Sequence, residues 1–86
     1  MATRIERSFR GITTRLAAQY LENLGGRRVD EDAVEGGGWQ ATLSADTVEI
    51  GPTLTLTEVT VVFEGEPEAL ESLVEDFARK AMRAGG

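Results

Sequence analysis

Residues 39–83 read WQATLSADTVEIGPTLTLTEVTVVFEGEPEALESLVEDFARKAMR, and the spacing of their apolar positions changes at Gly65. Before that glycine the period is two, the repeat of a strand with one buried face; after it the period is that of a helix. Trp39, Ala41 and Leu43 alternate with Gln40, Thr42 and Ser44, which predicts a half-buried strand. Ala45-Asp46 is expected to form a turn or bulge before Val48 and Ile50, and Gly51-Pro52 marks the next turn. In the following strand Leu54 and Leu56 have one parity and Val59, Val61 and Phe63 the other. A bulge or sharp bend near Thr57-Glu58 is therefore expected, because it would bring all five to the core side. Thr53, Thr55, Thr57 and Thr60 suit an extended chain through their branched β-carbons.

Downstream, Pro67 fits a first helical turn, where no amide partner is needed, and Leu70, Leu73, Val74, Phe77, Ala78 and Ala81 form one apolar stripe. Glu66, Glu68 and Glu71 crowd the start of this helix and Arg79, Lys80 and Arg83 its end, as the helix dipole favours.

Upstream of Trp39 the signals are weaker. Gly36-Gly37-Gly38 makes a flexible turn, and Val29 begins a weak strand running through Asp30-Glu31-Asp32 toward Val34. Ile12, Leu16, Tyr20, Leu21 and Leu24 recur at helical spacing, with Thr13 or Thr14 as the cap and Gly25-Gly26 as the stop. Ile5 and Phe9 alternate with Glu6, Ser8 and Arg10 in a first strand, a pattern that Arg7 interrupts. The order is β-α-β-β-β(-β)-α. It predicts an α+β fold in which residues 1–86 form a single domain, with an antiparallel β-sheet of four to five strands and two helices on one face. The opposite face would show Thr, Gln and Ser to solvent or to a partner.

Composition excludes several functions. The 86 residues contain no cysteine and no histidine. Disulfides, thiolate metal sites, cysteine nucleophiles and the commonest general base are thereby absent. Fifteen acids against nine bases give a net charge of −6, which opposes nucleic acid as a partner. The bases are arginine apart from Lys80, a balance that suits a halophilic protein. No apolar run is long enough to span a bilayer, and the N-terminal arginines interrupt any signal-peptide core, so a cytoplasmic protein is expected with no membrane partner. Six of the arginines lie in residues 1–28, whereas residues 29–78 carry thirteen acids and no base. Internal pairing of the basic ends with the acidic middle is favoured over a basic docking face.

The candidate sites are few. Asp30, Glu31, Asp32 and Glu35 match no calcium-loop spacing and are expected to be a solvated acidic loop. Gly36-Gly37-Gly38 leads into a strand rather than a helix, so it is not a phosphate cradle. Ser8, Ser44 and Ser72 have no histidine to activate them, and Lys80 is expected in reach of solvent. Trp39 could stack on a small ligand, although its parity favours core packing. Gly85-Gly86 is the pair through which ubiquitin-like carriers and modifiers act, although glycine also ends helices and residues 81–84 continue one. No catalytic residue, cofactor site or metal site is identified, and the chain is expected not to be an enzyme.

The stretches from Gly38 to Ser44, from Gly51 to Gly65 and from Phe77 to Arg83 carry a resemblance. The chain resembles a family of small haloarchaeal proteins similar to the C-terminal domain that follows the sulfur-carrier domain in molybdopterin-synthase small-subunit-like proteins. That resemblance implies a strand–helix–strands–helix fold similar to half of a TATA-binding protein. It implies no catalytic residues, and its link to molybdenum-cofactor or sulfur-transfer pathways is an association only. The expectation is a non-catalytic accessory or protein-interaction domain with a protein partner, or a homodimer formed through the open sheet face or an edge strand. Its alternatives are a carrier or modifier acting through Gly85-Gly86 and a small-ligand binder near Trp39.

Overall fold

The computed structural model describes residues 2–85, and the side chains of residues 2–82. The chain runs β1 (Thr3–Arg10), α1 (Thr14–Asn23), β2 (Arg27–Asp30), β3 (Ala33–Gly36), β4 (Trp39–Glu49), β5 (Thr55–Gly65) and α2 (Pro67–Gly85). The five strands form one antiparallel sheet in the order β1-β5-β4-β3-β2. The α+β class with an antiparallel sheet and two helices is as the sequence predicts.

Register assigns the faces. Ala41 pairs with Phe63 and Leu43 with Val61, while Phe63 also pairs with Ile5 and Val59 with Phe9. Cross-strand partners share a face, so the odd residues of β1, β4 and β5 point the same way. On that side they join Val34 of β3 and the helical residues Ala17, Ala18, Leu21, Leu70, Leu73 and Phe77 in one buried cluster. Phe77 is its aromatic centre, edge-on to Phe9, Tyr20 and Phe63 with ring centroids 5.1, 6.1 and 5.7 Å away. In α1 the buried positions are Ala17, Ala18 and Leu21, with Leu16, Tyr20 and Leu24 half-buried beside them. The two alanines let this helix lie close to the sheet. Thr13 is its cap, accepting the Leu16 amide at 3.1 Å, and Gly25 with φ +101° turns the chain out of it.

Three expectations need correction. The weak strand from Val29 to Val34 is two strands: β2 and β3 form a hairpin that turns at Glu31-Asp32, with a register shift between Arg28 and Asp30. Polar turn residues, rather than a glycine, close that hairpin, so the turn left no strong signal. No turn or bulge occurs at Ala45-Asp46, and none occurs at Thr57-Glu58. The β4–β5 ladder keeps one register from Trp39↔Gly65 to Glu49↔Thr55. Leu54 and Leu56 consequently stay on the face away from the helices, 54% and 38% exposed.

Candidate functional site

The unbroken register makes β4 and β5 outrun the rest of the sheet. β1 ends at Arg10 opposite Glu58, and β3 reaches only Thr42, with one further bond from the Leu43 amide to the Asp32 carbonyl at 2.7 Å. Beyond these points residues 44–57 project as a two-stranded ribbon. Eleven residues of strand extend roughly 36 Å, which accounts for the 44 Å long axis of a molecule only 22 Å and 21 Å across. Of β4, only Trp39, Ala41 and Leu43 are buried; Ser44 to Thr47 and Glu49 are exposed.

The helix-free face of the sheet is charge-paired near the core. Arg4, Glu64, Gln40, Glu35 and Arg27 lie in one row across all five strands, with Arg27 3.7 Å from Glu35. Ser8 and Thr60 share a hydrogen bond of 3.0 Å, and the Arg10 Nε donates to Glu58 at 3.1 Å. The next rows toward the tip are apolar. Val48 pairs with Leu56, and Ile50 donates its amide to the Leu54 carbonyl at 2.8 Å to close the turn. Ile50 is 44% exposed, so Val48, Ile50, Leu54 and Leu56 gather apolar surface at the ribbon end. Parity within an unbroken strand is the signal that would have found this patch.

The sequence-predicted positions lie elsewhere. Trp39 is a core residue at 9% exposure, and its ring covers Gly36, where an added Cβ would collide with it. A Cβ on Gly26 would come within 2.7 Å of the same ring. The indole is therefore seated in a glycine socket. Shallow pockets of about 330 and 220 Å³ flank it, one against Gln40 and Glu64, the other against Ser72 and Asp76. Gly85 is the last residue of α2, and Gly86 lies outside the described residues. Ser72 and Lys80 stand on the same helix, whereas Ser8 and Ser44 flank Thr60 in one row on the helix-free face of the sheet. Among the described residues no group of His, Cys, Asp or Glu could hold a metal ion, and no helix is long and apolar enough to cross a membrane.

Arg7, which interrupts the first strand's alternation, pairs with Val61 and so faces the helix side at the sheet edge. There it lines a groove of about 480 Å³ with Ile5, Pro67, Glu71, Val74 and Glu75. An edge position lets a long basic side chain keep its head in water.

No curated protein matches the chain. Residues 5–86 match the family described as archaeal MoaD-like protein. That span takes in β1 from Ile5 and every later element, the ribbon included. The chain belongs to the archaeal MoaD-like protein family.

Proposed function

We propose that the protein is a non-catalytic accessory module that works by docking another protein, or a second copy of itself, through the end of the β4–β5 ribbon. The observation that carries this is the placement of Val48, Ile50, Leu54 and Leu56 together on the helix-free face, at the point where the charge-paired rows stop. Apolar surface gathered at a projecting tip with no core beneath it contributes little to folding, and such patches mark interaction sites. The module is of the kind that follows a sulfur-carrier domain, with a cytoplasmic place of work. The antiparallel sheet and the C-terminal helix support an accessory role, because carrier tails follow a strand.

The test is co-purification from native cells with the unaltered chain and with Leu54→Asp/Leu56→Asp. A defined protein recovered by the first and lost by the second, at equal folded content, is the expected result. A monodisperse monomer with no partner recovered by either chain would exclude the module.

A second function is favoured by the family match, which extends through Gly85 and Gly86. This is a carrier acting through Gly86, and intact mass of the protein from native cells reads it directly. Exchange of one carboxylate oxygen for sulfur, or a covalent adduct on Gly86, supports the carrier; an unmodified tail supports the accessory module. Quenching of Trp39 emission by an added small molecule would be the mark of a ligand site in the flanking pockets.

A further inference from the structure

We infer that the free edge of β4 from Ala45 to Glu49 is an acceptor for an extended strand of a basic partner protein, which adds to the sheet in line with β3. The inference rests on the docking function proposed above and names the edge and the chemistry that would occupy it.

The backbone shows where the vacancy lies. The Leu43 amide donates to Asp32 across the β3 side, whereas the Ile50 amide donates to Leu54 within the β4–β5 ribbon. In a regular strand the amide and carbonyl of one residue point to the same side, and successive residues alternate. The backbone groups of Ala45, Thr47 and Glu49 thus face the side that β3 occupies up to Thr42 and leaves beyond it. All three residues are exposed. A strand placed there would continue the column of β3, with alternate side chains beside Val48 and Leu56 on the helix-free face.

Charge selects the occupant. Asp46 and Glu49 lie on this edge and Asp30, Glu31 and Asp32 at the β2–β3 turn where the incoming strand would begin. Arg28, held to the Glu31 carbonyl at 3.0 Å, is the nearby cation of that turn. A second copy presenting the same edge would bring these carboxylates against each other, which is how edge strands avoid self-pairing. A segment alternating Arg or Lys with Val or Ile sets its apolar residues beside Val48 and Leu56 on one face and its charges beside Glu49 on the other, within the wider negative field of Asp46 and the turn acids.

The test is a titration of the ¹⁵N-labelled full chain, in low salt, with a short synthetic peptide alternating Arg and Val and with a matched peptide alternating Glu and Val. The Arg-Val peptide is expected to shift the amides of residues 44–50 and to slow hydrogen exchange at Ala45, Thr47 and Glu49. Thr47→Pro removes an edge amide without touching the β5 ladder and should weaken binding at least about tenfold, while Asp46→Lys/Glu49→Lys, a purely surface change, should reverse the peptide preference. Binding of the Arg-Val peptide that leaves edge exchange unchanged, equal binding of the two peptides, no binding at all, or pairing of the chain with itself would each overturn the strand acceptor. The first of these leaves the apolar docking surface standing, and the co-purification result with Leu54→Asp/Leu56→Asp judges that surface independently.

Discussion

At the scale of single residues, the glycines around Trp39 decide how closely β3, β4 and α1 approach. A Cβ on Gly36 would occupy space held by the indole, and the ring can move only by leaving its seat between Gly36 and Gly26. Gly36→Ala is expected to destabilise the fold by about 1–3 kcal/mol and to shift Trp39 emission to the red as the ring becomes wetter. Gly37, one residue on, has nothing within 4 Å of its Cβ position and no positive φ. Gly37→Ala should leave stability within about 0.5 kcal/mol and the emission unchanged, which denaturant melts of the pair would check. Trp39 itself was half legible in the sequence. Its parity with Ala41 and Leu43 gave its inward face, but the glycine socket was hidden because Gly26 and Gly36 are far from each other along the chain and meet only through the β2–β3 hairpin.

At the scale of elements, large apolar side chains have two roles on the two faces of the β5 segment. Phe63 is fully buried against Phe77, whereas Leu54 and Leu56 cover no core. Phe63→Ala should cost about 3–5 kcal/mol, while Leu54→Thr/Leu56→Thr should change unfolding free energy by less than about 0.5 kcal/mol at each site; urea titration of the two variants measures the contrast. The starts of both helices and the end of the first were readable because apolar period, Thr13 or Thr14, Gly25-Gly26 and Pro67 agree locally. The ribbon was not readable, since the expectation that every leucine seeks a core called for a bulge that the continuous Trp39–Glu49 and Thr55–Gly65 ladder lacks. The apolar patch at its end was hidden with it. Gly85-Gly86 is visible as a dipeptide, whereas the apolar patch emerges only when the parity of Val48 and Leu56 is followed through unbroken strands.

At the scale of the whole molecule, the uneven charge along the chain is only partly neutralised by folding. Arg10 meets Glu58, Arg27 meets Glu35, and Arg79 meets Glu75 and Asp76 at 3.2 and 3.4 Å. These pairs are exposed and individually weak. With thirteen acids between residues 29 and 78 and a net charge of −6, repulsion remains, and salt screens it. The melting temperature is expected to rise from dilute buffer to molar potassium chloride; equal values at both ends of the series would show that the acids are spaced too widely to matter. The sheet order has a kinetic consequence as well. Glu49 meets Thr55 across one short turn, but Ser8 reaches Thr60 over 52 residues of chain. Closing the longer loop carries the larger entropic penalty, so the ribbon can zip early while β1 docks late. During synthesis β1 precedes the other four strands of this sheet yet is among the last to find its neighbour, and until β5 has been made Ile5 and Phe9 have no sheet to join.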